Sequence, residues 1–416
     1  MKVLMISEFF PPKSMGGGEL SAYSLAKELV KEKIEVHVLT SYFEGLKKQE
    51  SLDGIKIFRF LKSGNPNNLQ GNMDRLLNFE KSLLIEFQLL HVKEKYDIVH
   101  CMNTNSILAI KIKNKINRPF IMHVNGPTPF CPKGTLMYKD KEICNQNCTR
   151  KTHLDCYLHS KRIGKMDLNL FSKLNPIFFI LGRQKYENYQ KLIPSFDYFM
   201  PISTYMAKRL YNLNINKNKV NVIYNILDLD GFKKLKQPKN KIKKILYLGS
   251  YSGPKGAQIL VDALIDVEEK YDANFYGNGI LKNKLIKKSN KYNLRLKINN
   301  AVKYDEIPNI ISKHDIIVIP SLVGEAFGRV ALEALAAKKT VIASSIGGIT
   351  DVIKHKKTGY LFEPGNSKEL AENIDFAIQN NNLDLSNVNL SKFERNNIIK
   401  KVIKIYDDLW SNYKNL

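Results

Sequence analysis

The sequence predicts an α/β chain built from two doubly wound parallel sheets that face a central cleft. Three observations predict it. Short apolar runs alternate with helical patterns along nearly the whole chain. A polar, basic stretch, "DLDGFKKLKQPKNKIKK" (228–244), interrupts the alternation once, after which it begins again. A glycine-bearing turn follows the first strand of each series.

The elements follow in order. "KVLMIS" (2–7) reads as a buried parallel strand and "EFFPPKSMGGGE" (8–19) as the loop after it. Ala22, Leu25, Ala26, Leu29 and Val30 recur at helical spacing and form one face of a helix. "EVHVLT" (35–40) is the second strand of this βαβ unit, and "YDIVHCM" (96–102) and "PFIMHV" (119–124) extend the sheet. These belong to an N-terminal domain, 1–228, which carries a cysteine-bearing, basic insertion at about 126–195. Residues 229–243 read as a linker. The second domain, 244–395, opens on "KILYLGS" (244–250) and continues with the turn "SGPKG" and the strand "ANFYGNG" (273–279). "DIIVIPS" (315–321), a helix from about 328 to 338 and "TVIASS" (340–345) complete the pattern. The final segment, 396–416, holds the amphipathic run "NIIKKVIKIYDDLW", expected to be a helix packing back at the domain junction.

Composition sets the outer bounds. The 416 residues suffice for two domains, and 44% hydrophobic with 25% charged residues is an ordinary globular balance. No apolar run approaches the roughly 20 residues that span a bilayer. The N-terminus lacks the apolar region and cleavage site of a signal peptide, so a cytoplasmic protein is expected. The net charge of +25, from 65 Lys and Arg against 40 Asp and Glu, points to an anionic partner. An AT-rich coding bias gives the same excess, since Lys, Asn and Ile are all abundant, so charge alone does not choose. Nucleic-acid binding has nothing else behind it. The first turn lacks GxGxxG and no acidic residue closes the second strand, which disfavours a nicotinamide-dependent oxidoreductase.

"EAFGRVALE" (325–333) carries the most chemistry. It runs from a loop into a helix, with Gly328 at the opening. The unpaired N–H groups around Phe327, Gly328 and Arg329 favour an anion such as phosphate. A carboxylate offers two acceptor oxygens and suits a vicinal diol. Glu325 before the turn and Glu333 inside the helix therefore suit opposite ends of one ligand, with a diphosphate between them.

These residues resemble a known family. "PSLVGEAFGRVALEALA", "SSIGGITDVI" and "TGYLFEPGN" are similar to the C-terminal signature of family 4 retaining glycosyltransferases of the GT-B fold. "GSYSGPKG", "YGNG", "VIYNILDLDGF" and "SEFFPPKSMGGGELSAYSLAKEL" resemble further pieces of that family in the same order. The resemblance covers nearly the whole chain. It implies two Rossmann-like domains and transfer of a sugar from a nucleotide-sugar donor, with retention, to a glycan or lipid-linked acceptor. No metal or other cofactor is implied. By resemblance, Glu333 holds the ribose, Glu325 the hydroxyls of the transferred sugar and Lys255 the diphosphate. Gly17, Gly18, Gly249, Ser250, Gly277, Phe327, Gly328 and Arg329 line the donor, and Asn125 or His123 stands on the acceptor side. A non-catalytic nucleotide-sugar or sugar-phosphate binding protein on the same fold is the alternative.

Several positions depart from the family or distract from it. Ser250 stands where the family usually has Arg; Arg329 could supply that charge or be a solvated surface residue. Asp351 stands where Glu is more frequent. "DLD" (228–230) mimics a metal-binding Asp-x-Asp but lies in the interdomain segment, so no metal is expected there. Cys131, Cys144, Cys148 and Cys156 could hold zinc, yet the spacing is not the paired CxxC, and reduced thiols are expected. Residues 161–191 surround "NPIFFILG" with Lys161, Arg162, Lys165, Lys173, Arg183, Lys185 and Lys191. Such a segment suits an anionic membrane surface, or a packed helix with a solvated basic face.

Overall fold

The computed structural model describes the whole chain except residues 14–16, 65–68, 141, 145–147, 161, 164–165, 168–175, 238–239, 381–382 and 415–416. Its N-terminal half contains the strands β1 (Lys2–Ile6), β2 (Glu35–Ser41), β3 (Gln49–Leu52), β4 (Ile55–Leu61), β5 (Ile98–Cys101) and β6 (Phe120–Val124). Two small hairpins follow, β7 (Met137–Tyr138) with β8 (Glu142–Ile143) and β9 (Arg162–Ile163) with β10 (Met166–Asp167), and then β11 (Tyr198–Pro201). The seven-stranded sheet runs β11-β6-β5-β1-β2-β4-β3, parallel except for β3. The C-terminal half contains β12 (Lys243–Leu248), β13 (Tyr271–Tyr276), β14 (Leu296–Asn299), β15 (Ile316–Ile319), β16 (Thr340–Ser344) and β17 (Tyr360–Phe362), ordered β14-β13-β12-β15-β16-β17 and parallel throughout.

Both sheets are doubly wound. The chain builds outward from β1 or β12 on one side, then returns to lay β5 or β15 on the other. Where the order reverses, successive loops diverge and leave a crevice at the carboxyl ends of the strands. The strands there are apolar on both faces because helices cover both. Val3 to Ile6 and Ile316 to Val318 are almost wholly buried.

The helix Gly17–Lys31 lays Ala22, Leu25, Ala26 and Leu29 on the first sheet. Each buried leucine contributes about 1.5–3 kcal/mol of burial free energy. At the other end of the chain, the helix Arg395–Lys414 buries Ile398, Ile399, Val402, Ile405 and Tyr406 in the same cluster as Val3, Met5 and Leu25. The last helix thus completes the core of the first sheet. No helix among the described residues is long and apolar enough to cross a membrane.

The stretch 228–244 differs from the polar linker read in the sequence. Asp230–Lys233 forms a short helix, and Leu229 and Phe232 are buried in the cluster that holds Phe327 and Leu332. One helical turn is enough to swing Phe232 inward while its basic neighbours stay in solvent. Other contacts tie the two halves together. Asp351 accepts the Thr204 N–H at 2.7 Å and also the Thr204 hydroxyl. A carboxylate of one half thereby caps the helix Thr204–Tyr211 of the other. Tyr224, Phe327 and Phe393 pack with ring centroids 4.7–6.0 Å apart.

Candidate functional site

The carboxyl ends of β12 and β15 flank the reversal point of the second sheet. After β12 the chain turns through Gly249 and Ser250 into a 3-10 turn, Gly253–Lys255. Two close approaches force glycine here, because no side chain fits. A Cβ on Gly256 (φ +71°) would stand 1.7 Å from the Pro320 carbonyl oxygen, and one on Gly277 would stand 1.9 Å from that of Gly249. The turn is therefore wedged between the ends of β13 and β15. Ser250 is exposed and hydrogen-bonds to the Ser252 hydroxyl at 2.8 Å.

This wedging aims Lys255 at the loop after β15. Its Nζ donates to Glu325 Oε1 at 2.9 Å, and the Ser321 hydroxyl donates to the same oxygen. Burial would raise the Glu325 carboxyl, but the Lys255 charge and these hydrogen bonds together hold it below the usual carboxylate range. Glu325 is thus an anion with a dedicated counter-charge. Beside it lies a cavity of about 50 Å³ lined by Gly249, Lys255, Ser321, Glu325, Gly328 and Val330. The helix Arg329–Ala336 begins at this cavity with no side chain capping its first N–H groups.

On that helix Glu333 is only 2% exposed. The Tyr304 hydroxyl donates to its Oε1 at 2.9 Å and Arg329 at 3.5 Å. Burial raises the Glu333 carboxyl, and Arg329 and Tyr304 offset this only in part. Arg329 lies over the Tyr304 ring at 5.2 Å, and its buried Nε has no hydrogen-bond partner. Across the cleft, a Cβ on Gly17 would lie 3.6 Å from Arg329 Nη1. The structure thus places two acid–base pairs, Lys255 with Glu325 and Arg329 with Glu333, at the two ends of one stretch of loop and helix. The N-terminal glycine loop comes in from the opposite half. Residues 14–16 of that loop lie outside the described part.

The acceptor-side residues separate. Asn125 belongs to the cleft: its amide donates to the Met102 carbonyl at 2.6 Å, and a Cβ on Gly18 would lie 3.7 Å away. His123 does not open onto the cleft as expected for a catalytic group. It is 5% exposed, and its Nδ1 lies 3.2 Å from His100 Nε2, while His100 Nδ1 lies 2.6 Å from the Tyr406 hydroxyl. Burial lowers both rings, His123 to about 4 and His100 well below its usual value, so both are neutral at pH 7. Alternation did put His123 on a sheet face, but the C-terminal helix covers that face. The His123 Nε2 remains without a partner. Phe327, expected to act through its backbone N–H, turns its ring into the domain junction against Tyr224.

The sequence reading missed Ser321, Tyr304 and Tyr406. Ser321 had a signal, its place directly after a buried strand. Tyr304 and Tyr406 come from distant segments, and nothing local marks them.

Elsewhere, Asp228 is exposed and caps its own turn by accepting the Asp230 N–H at 3.2 Å. Among the described residues, Glu35, His37 and Glu94 form the one set of three metal-ligating atoms within 4.8 Å. Lys2 and Lys56 already neutralise its carboxylates, and Tyr96 holds the His37 Nδ1 at 2.9 Å. In the basic segment, Lys161, Lys165 and Lys173 lie outside the described residues. Arg183 turns inward onto the Cys148 carbonyl at 2.6 Å, and Lys185 lies over the Tyr189 ring. On the helix Pro176–Leu192, Ile177 and Ile180 are exposed. Among the described residues of the segment, Arg183 and Lys185 therefore add little to an exposed basic face.

Comparison with known proteins adds to this geometry. Residues 15–230 match the family model described as Glycosyltransferase Family 4, and residues 231–397 match Glycosyl transferases group 1. The chain belongs to the family 4 glycosyltransferases. An uncharacterized glycosyltransferase of Methanocaldococcus jannaschii is 25% identical over 433 residues, covering 98% of each chain. The lipopolysaccharide 1,2-N-acetylglucosaminetransferase of Salmonella typhimurium is 25% identical over 209 residues, 45% of this chain and 54% of that protein. Among solved structures, Anabaena HepE in complex with UDP superposes with a TM-score of 0.67 at 17% identity, covering 98% of this chain and all of that one. Sucrose-phosphate synthase of Thermosynechococcus elongatus gives 0.72 at 16% identity, covering 99% of each. These structures share the GT-B fold, two Rossmann-like domains about a cleft.

Proposed function

We propose that this glycosyltransferase moves a sugar from a nucleoside-diphosphate donor to a glycan or lipid-linked acceptor, with retention at the anomeric carbon and without a metal ion. The observation that carries this reading is the pair of charge pairs at the reversal point of the second sheet, Lys255 with Glu325 and Arg329 with Glu333. In this reading Glu333 accepts the ribose hydroxyls. Lys255, Arg329 and the N–H groups after Gly328 face the diphosphate, and Glu325 holds hydroxyls of the sugar. The bond from the anomeric carbon to the diphosphate oxygen breaks, and the acceptor oxygen bonds to that carbon on the same face. The acceptor's proton passes to the departing phosphate oxygen. A diphosphate is already a good leaving group, so the site supplies oriented positive charge instead of paired carboxylate catalysis. Fixed cations beside the leaving group remove the need for a divalent ion.

A lipopolysaccharide transferase among the relatives supports a cell-surface glycan as the product class. The reaction is then at the cytoplasmic face of the membrane. A panel of nucleotide sugars tests the reading by thermal shift, because a ligand that binds only the folded state raises the melting temperature. UDP-linked sugars come first, given the UDP bound to one structural relative. One donor raising the melting temperature supports the proposal, and a panel in which no nucleotide sugar does so overturns it.

A further inference from the structure

Four of the five cysteines fall between residues 131 and 156, and the donor cleft uses none of them. The fold gathers them in one corner of the N-terminal half. Cys131 opens a tight turn, closed by the Gly134 N–H on the Cys131 carbonyl at 2.9 Å. The chain then forms the hairpin β7–β8, in which Met137 pairs with Ile143, and Cys144 follows at once with its N–H on the Leu136 carbonyl at 2.8 Å. Cys156 reaches the same hairpin from the helix Arg150–His159. Its Sγ accepts the Lys139 N–H at 3.4 Å and lies 3.6 Å from the Met137 carbonyl oxygen. Cys148 lies directly before Thr149, the N-cap of the helix that carries Cys156, and Arg183 holds its carbonyl at 2.6 Å. Cys131 and Cys156 are buried, Cys144 and Cys148 half-buried, and none is in a disulfide. One helical turn before Cys156, the 5%-exposed His153 carries an Nδ1 without a hydrogen-bond partner.

We propose that Cys131, Cys144, Cys148 and Cys156 bind one zinc ion that closes this insertion, at a structural site separate from the donor cleft. Four thiolates are a closed tetrahedral set for zinc. The surroundings suit the net negative charge of such a centre. The Lys139 N–H already points at the Cys156 sulfur, and Arg183 and Arg209 hold the carbonyls of Cys148 and Cys144. Zinc takes cysteine as thiolate, so binding at this set releases the thiol protons and couples the metal to the closure of the insertion. No three of the sulfurs lie within 4.8 Å of one another. Binding therefore draws hairpin, helix and the chain at Cys148 inward, toward the sulfur spacing of about 3.8 Å that zinc–sulfur bonds of about 2.3 Å set. His153 stands beside this set as the nitrogen ligand that would replace a sulfur if one failed to reach.

The test is metal analysis of the full-length protein purified under reducing conditions. The expected result is about one zinc per chain, lost in Cys148→Ser and retained in Cys101→Ala, whose cysteine lies in β5, and in His37→Ala. If the serine variant does not fold, cobalt replaces zinc in the wild type; a tetrahedral spectrum with thiolate-to-cobalt charge transfer supports the site. The proposal is overturned if reduced protein neither carries nor takes up zinc, if iron is found instead, if His37→Ala loses the zinc, or if cobalt shows no thiolate band. None of these outcomes depends on sugar transfer, so the glycosyltransferase reading stands or falls separately.

Discussion

Glu333→Gln perturbs the donor site with the least change of shape. Glu333 is 2% exposed, and the hydrogen bonds from Tyr304 and Arg329 both fall on Oε1. Its second carboxylate oxygen is therefore the acceptor left for a ribose diol. A hydrogen bond to a charged group contributes about 1.5–3 kcal/mol, and a neutral one about half of that. The amide keeps one acceptor oxygen but loses the charge, so the expected loss is about 1–2 kcal/mol, or roughly 5- to 30-fold in nucleotide Kd. Isothermal titration with the nucleoside diphosphate of the preferred donor measures it. The ribose assignment is sharper in a cycle with the 2′,3′-dideoxy nucleotide. If Glu333 holds the diol, removing the hydroxyls and removing the charge are two ways of losing one contact, and their effects do not add. Additive losses, or an unchanged Kd in Glu333→Gln, would refute the assignment. The fold should persist. Burial raises the folded-state pKa of Glu333, so its ionised form costs stability at neutral pH, and glutamine removes that cost.

Lys255→Ala should lower kcat more than donor affinity, because negative charge on the leaving phosphate grows in the transition state; equal losses in steady-state kinetics would indicate ground-state binding alone. Donor affinity should fall on acidification from a pH above the usual glutamate value of about 4.3, because Glu333 takes its proton early, whereas Glu325, held down by Lys255, stays ionised. Titrations across pH check this, and Glu333→Gln should flatten the dependence. Added Mg or Mn should leave turnover unchanged; a clear stimulation would contradict a reaction driven by fixed cations. Reversing Lys161, Arg162 and Lys165 together should release the protein from anionic liposomes at low salt, since each such charge near the surface contributes about 1 kcal/mol. Equal sedimentation with neutral vesicles would show that the segment does not read lipid charge.

Much of the fold was legible because buried parallel strands and helical faces leave a direct pattern. The Ala22–Leu29 stripe packs where its spacing put it, and both sheets run through the apolar runs read as strands. Phe232 was lost among lysines, because pattern reading averages over a window and one inward aromatic does not shift the average. At the site, the placement of Glu325 and Glu333 at the two ends of one loop and helix was legible because that geometry is local, whereas Lys255 reaches Glu325 from a turn about 70 residues away. His123 was misjudged for the opposite reason. Alternation gives the face of a strand but not what covers it, and Tyr406 arrives on that face from the far end of the chain. Tyr304 is likewise a product of packing between distant segments.

Nucleotide release from the preferred donor, followed in the wild type and in Glu325→Gln, tests the central claim most directly. The account predicts that the wild type releases nucleoside diphosphate, slowly to water and faster with an acceptor. It also predicts that Glu325→Gln binds the nucleotide with near wild-type affinity while turnover falls by about two orders of magnitude, the scale of losing one oriented charged contact in a transition state. A wild type that binds a nucleotide sugar but never cleaves it, or a variant that cleaves it as fast, would contradict transfer chemistry at this cleft.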